Sequence, residues 1–76
     1  MYLNNIKNNE YYTVNKINLS EKTKRRLYDI GLVAGTKIKL LFTSPSKKIK
    51  AYLIRDSIIA IRDRDASKIE VKRLND

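Results

Sequence analysis

No apolar run in this chain is longer than four residues, and the two that reach four, Ala51-Tyr52-Leu53-Ile54 and Ile58-Ile59-Ala60-Ile61, are separated only by Arg55-Asp56-Ser57. Runs this short, bounded by turn formers, predict short strands; a membrane-spanning helix would need about 20 apolar residues in succession. Strands are therefore expected from about Ile49 to Arg55 and from about Ser57 to Arg62, joined as a tight hairpin. Both are near-continuously apolar, which predicts burial on both faces of a strongly curved sheet. Upstream, Ile38, Leu40 and Phe42 alternate with Lys37, Lys39 and Leu41, so the first three are expected on one buried face. Tyr11 to about Leu19 forms another extended segment, with imperfect alternation at Val14, Ile17 and Leu19. Ile69-Glu70-Val71-Lys72-Arg73-Leu74 alternates apolar with charged residues and closes the sheet, after a short 3-10 turn over Asp63–Lys68.

One helix interrupts this pattern. Ser20 is a natural N-cap and Glu21 favours the positive end of the helix dipole. The helix is expected to reach about Ile30, with Leu27 and Ile30 on its core face and Tyr28 at the core edge. Gly31 then takes the left-handed position past the helix, with Leu32 folding back as its apolar clasp. Val33-Ala34-Gly35-Thr36 reads as a type II turn with Gly35 at positive φ. The fold class is mainly β: a small SH3-like barrel of about five antiparallel strands with one α-helix. Residues 1–9, rich in asparagine, are expected to be a flexible N-terminal segment, and residues 10–75 the domain.

With 76 residues, no cysteine and no histidine, the chain is at most one domain, without disulfides, thiolate metal sites or imidazole chemistry. No serine has a histidine to activate it, and no Gly-Lys-Ser/Thr phosphate loop is present, so neither catalysis nor a cofactor is expected. Asp63 and Asp65, flanked by Arg62 and Arg64, are expected to cap a turn, too few and too positively surrounded to hold a divalent metal. No metal site is expected, and no tight Fe(II) binding. The N-terminus is not a secretion signal, so a cytoplasmic location is expected. Seventeen basic against eight acidic residues give a net charge of +9, which predicts attraction to an anionic partner.

The segment Arg26-Leu27-Tyr28-Asp29-Ile30-Gly31-Leu32-Val33-Ala34-Gly35-Thr36 resembles the helix-to-turn signature of FeoA proteins, the family of ferrous iron transport protein A. The likeness continues in order through Ile38–Leu41, Ser44-Pro45, Ala51–Arg55, Ile59–Arg62, Asp65-Ala66 and Ile69–Val71, covering roughly residues 11–73. Ala34 stands where the family usually has proline, and Asp56 where it tends to have glycine. The Ser46-Lys47-Lys48 loop is shorter and more basic than is usual. The resemblance implies a small non-enzymatic SH3-like accessory protein in bacterial Fe(II) uptake. It would dock on FeoB, the membrane permease with a GTP-binding domain, and would reach the membrane only through that partner. The expected partner-binding residues are Lys24, Arg25, Arg26 and Tyr28 on the helix and Lys47 and Lys48 in the loop; Gly31 and Gly35 are expected to be structural. The alternatives are a nucleic-acid-binding small barrel, favoured by charge but poor in aromatics for stacking, and a detached domain of an iron-dependent repressor. No small-molecule substrate is expected.

Overall fold

The computed structural model describes residues 1–74; the expected end of the domain at residue 75 lies outside them. Five strands, β1 (Tyr11–Ile17), β2 (Lys37–Thr43), β3 (Ile49–Ile54), β4 (Ser57–Arg62) and β5 (Ile69–Arg73), form one antiparallel sheet in the order β4-β3-β2-β1-β5. Helix α1 (Glu21–Asp29) joins β1 to β2, and a single helical turn, α2 (Asp63–Ala66), joins β4 to β5. That turn closes with an α-type bond from the Ser67 N–H to the Asp63 carbonyl and a 3-10-type bond from the Lys68 N–H to Asp65. The sheet is the expected SH3-like arrangement, except that β4 and β5 lie at its two ends and the curl is left open between them.

The core lies inside the curl. Tyr12, Val14, Ile38, Leu40, Tyr52, Ile54, Ile69 and Val71 all point inward and are buried. The imperfect alternation of β1 has a simple cause: the register with β5 shifts between Val14 and Lys16, so Val14 and Ile17 both face the core despite their odd spacing. A second bulge, between Leu40 and Phe42 in β2, has the opposite effect. It turns Phe42 outward, where the ring is 59% exposed, and so overturns the expectation that Phe42 shares the buried face of Ile38 and Leu40.

Two further expectations fail. β4 is not buried on both faces: Ile61 is buried, whereas Ile58 is 63% exposed and Ala60 is exposed. Ile30 is not a core residue either. Helix α1 ends at Asp29, Ile30 is its cap, and the side chain stays 38% exposed while Leu27 packs on the core.

The segment before β1, expected to be flexible, instead belongs to the core. Leu3 is wholly buried in a short 3-10 turn (Leu3–Asn5), and Ile6 is buried beside it. The tail is tied at both ends of the barrel. Val71 donates its N–H to the Met1 carbonyl at 2.8 Å, and Tyr2 bridges Glu70 on the outer edge of β5. Asn9 donates to the Leu40 carbonyl at 3.0 Å, extending the edge of β2. From inside, Lys50 Nζ donates to the Asn4 carbonyl at 2.6 Å and the Tyr52 hydroxyl donates to the Leu3 carbonyl at 3.3 Å. Burial, reinforced by the charge of Asp63, pushes the Tyr52 phenol far above its ordinary pKa, so the hydroxyl keeps its proton for that bond.

The end of α1 is a Schellman motif: Leu32 donates to the Leu27 carbonyl at 2.8 Å and Gly31 to that of Tyr28 at 3.0 Å. Gly31 has φ 91° and Gly35 φ 93°. The Thr36 N–H closes the following turn onto the Val33 carbonyl at 3.1 Å. The Thr36 hydroxyl donates to the Gly31 carbonyl at 3.0 Å, locking cap and turn together. A Cβ on Gly31 would lie 2.7 Å from Cδ of Arg55, which crosses it from the β3–β4 hairpin, whereas a Cβ on Gly35 would meet nothing within 4 Å. Both alanine variants should therefore lose stability to backbone strain, about 1–2 kcal/mol each. Gly31→Ala should lose more than Gly35→Ala because Arg55 must also move. Equal melting temperatures for the two would show that the Arg55 crossing is immaterial.

Candidate docking surface

The expected partner-binding residues line three different depressions. Lys24 and Tyr28, which is 49% exposed, line a shallow depression with Asn15–Leu19 and Ala34. Arg25 and Arg26 sit with Glu21, Lys22 and Asp29 on the outer side of α1. Lys47 and Lys48 lie elsewhere, with Ile49, Arg62, Asp63 and Arg64. Arg26 and Arg62 both line the groove between α1 and β4 and so connect the basic outer side of α1 to the Lys47 and Lys48 depression. The aromatics are divided: Tyr12 and Tyr52 are buried, and Tyr2, Tyr11, Tyr28 and Phe42 are exposed on different elements.

Asp63 does not sit free beside Asp65. Its carboxylate pairs with Lys50 Nζ at 2.8 Å. Among the described residues no group of three or more acidic side chains gathers in one place, and no helix is long and apolar enough to cross a membrane.

One surface combines features that the separate charges lack. Between α1 and β4 runs a groove of about 340 Å³ with an apolar floor of Leu27, Ile30, Ile59 and Ile61. Arg26 and Arg62 stand on its walls, with Asp65 as its one carboxylate. Its elements are positioned by the local chemistry already described. The Ser20 hydroxyl accepts from the Thr23 N–H and starts α1, and the Gly31 cap stops it opposite the hairpin. The groove borders an edge strand. Of the sheet's two end strands, β5 is partly covered by Met1 and Tyr2, whereas among the described residues β4 has β3 on one side and no strand on the other. Half of the backbone N–H and C=O groups of such a strand face away from the sheet and are free to pair with an added strand.

Of the groove residues, charge clustering alone singled out Arg26. Ile30 and Ile59 carry no sequence signal that separates them from core residues. Ile59 belongs to an unbroken apolar run, and which of its members faces outward is set by the register with β3, where Tyr52 opposes Ile59 and Leu53 opposes Ile58.

The family model described as FeoA domain matches residues 1–73. No curated protein matches the sequence significantly. Among solved structures, the solution structure of the FeoA protein from Chlorobium tepidum is 28% identical with a TM-score of 0.92, covering 97% of this chain and 70% of that one. The iron(II) transport protein A from Clostridium thermocellum is 23% identical with a TM-score of 0.92, covering 99% of this chain and 46% of that one. The manganese-activated repressor ScaR in its apo form shares the fold, at 18% identity and a TM-score of 0.84, over 97% of this chain and 35% of the repressor.

Proposed function

This chain belongs to the FeoA domain family, and on that footing we propose that it is a cytosolic, non-catalytic accessory protein of bacterial ferrous iron uptake that docks on the FeoB-type permease and modulates its assembly or activity. The observation that supports docking is the uncovered edge of β4 beside the apolar groove under α1. An extended segment of the permease's GTP-binding region would add to β4 through backbone hydrogen bonds. It would place one apolar side chain against Leu27, Ile30 and Ile59, with Arg26 and Arg62 meeting its acidic flanks.

Calorimetric titration of the soluble GTP-binding region of the permease with this protein tests the reading. The double variant Arg26→Glu with Ile30→Glu alters two solvent-facing groove residues. It should weaken binding by about tenfold or more with unchanged circular dichroism. Arg25→Glu, on the outer side of α1, should change affinity by no more than a few-fold, as expected of a rim charge. Equal affinity of wild type and double variant would remove the groove from the reading, and no binding by wild type would remove the docking itself.

A further inference from the structure

The outer face of the β2–β3–β4 sheet is a second exposed surface, which meets the groove at Ala60 and Arg62. The pairing register builds it row by row: Lys39, Leu53 and Ile58 form one row, Phe42, Ala51 and Ala60 the next, and Ile49 with Arg62 the last. Phe42 and Ile58 are its most exposed members, and Ile49 is also exposed. Phe42 is there only because the bulge after Leu40 turns it out of the core. A bulge that moves the largest apolar side chain of a strand from inside to outside is a device for re-aiming that side chain.

The charge on this face has one sign. None of the three rows contains a carboxylate, and the basic residues Lys39 and Arg62 stand at its borders. Lys47 and Lys48, both exposed, continue the positive rim in the loop that leads into Ile49. The nearby acid Asp63, in the same depression as Ile49 and Arg62, is neutralised by its pair with Lys50. At the last row, Ile49 and Arg62 line a depression of about 420 Å³ together with Lys47, Lys48, Asp63 and Arg64; Phe42, Leu53 and Ile58 form the apolar strip beyond it. An apolar strip bordered by long cationic side chains suits the boundary between acyl chains and anionic headgroups, where aromatic and aliphatic groups dip in and lysines and arginines reach phosphate.

We propose that this face, centred on Phe42 and Ile58, seats the protein directly on an anionic lipid surface. That goes beyond the expectation that the membrane is reached only through a protein partner; the face centres on Phe42 and Ile58, outside the groove, and shares Ala60 and Arg62 with it. Two weak contributions act together, shallow apolar insertion and attraction of the basic rim, so binding is reversible and sensitive to salt.

The chain contains no tryptophan, so Phe42→Trp places a single reporter at the centre of the face. With vesicles of phosphatidylcholine containing about one-third phosphatidylglycerol, its emission should shift to the blue and be quenched by brominated acyl chains. Vesicles of phosphatidylcholine alone should do neither. In flotation, wild type should bind the anionic vesicles, and the double variant Phe42→Ser with Ile58→Ser should bind them about tenfold more weakly or worse. Ile30→Ser, in the groove, should float like wild type. An unshifted reporter, or equal flotation of wild type and the double serine variant, would overturn the proposal. So would hydrogen exchange in which the permease's soluble region, but not vesicles, protects β2 and β3, away from the β4 edge; that outcome would give the face to a protein.

Discussion

Leu3→Ala is expected to lower the unfolding free energy by about 3 kcal/mol, the middle of the range for emptying a buried leucine site. Leu3 is wholly buried although it is only the third residue. The turn that carries it is held from below by Lys50 and Tyr52, which donate to the carbonyls of Asn4 and Leu3. A side chain on a loose tail could move away and refill the space with water; this one is fixed, so the cavity persists. A domain of this size has only about 4–11 kcal/mol of stability in total, so the midpoint of thermal unfolding should fall by more than about 10 °C. Leu3→Met, which conserves volume, should lose less than about 1.5 kcal/mol. Removing residues 1–6 should be worse than Leu3→Ala, because it also uncovers the edge of β5 that Met1 and Tyr2 occupy and leaves strands that pair between molecules. Denaturant titration gives the stabilities and light scattering the association state. A loss below about 0.5 kcal/mol for Leu3→Ala would mean that the tail is not part of the core.

The second large effect is expected at Lys50, an inward-facing lysine near one end of the barrel. Its ammonium group lies 2.8 Å from the Asp63 carboxylate, with only 15% of the lysine side chain exposed, and it also donates to the Asn4 carbonyl. Lys50→Met keeps the apolar stem and deletes the charge. Asp63 is then left without its counter-ion, and the Asn4 carbonyl without its donor. Asp63 remains about one-third exposed, which moderates the loss to about 2–3 kcal/mol, below that for a fully buried pair. Adding Asp63→Asn removes the stranded charge and should restore a large part of that loss. The double-mutant cycle should give a coupling of about 1–2 kcal/mol. A coupling indistinguishable from zero would show that solvent screens the pair completely and that the lysine stem alone matters.

These two residues also show what could be read without coordinates. The strands over 49–54 and 57–62 were legible because four-residue apolar runs between turn formers have few alternatives. So were Ser20 as the start of α1 and the Gly-x-x-x-Gly turn after it, since caps and positive-φ turns depend on neighbours within a few residues. Leu3 was not legible. A short apolar side chain among asparagines has no period to reveal it, and the residues that hold the tail are at positions 50, 52 and 71. Phe42 was misassigned for a related reason. Strict alternation puts it inside, and one extra residue in β2 turns it outside.

The candidate surfaces follow the same division. The basic residues of α1 and of the β2–β3 loop were evident from composition, but that Arg62 stands between them was not. The groove between α1 and β4 is made of residues that look like core in the sequence.

The sequence alone therefore determined the elements, their order, the caps and turns, the sign of the charge and the family resemblance. Each of these depends on interactions between residues close in the chain or on a simple sum over it. Tertiary structure decided which apolar residues were left over, which edge stayed uncovered and where the tail was held. Those outcomes depend on strand register and on contacts between distant segments. A shift of one residue in pairing exchanges the inside of a strand for its outside, and nothing local to the strand records it.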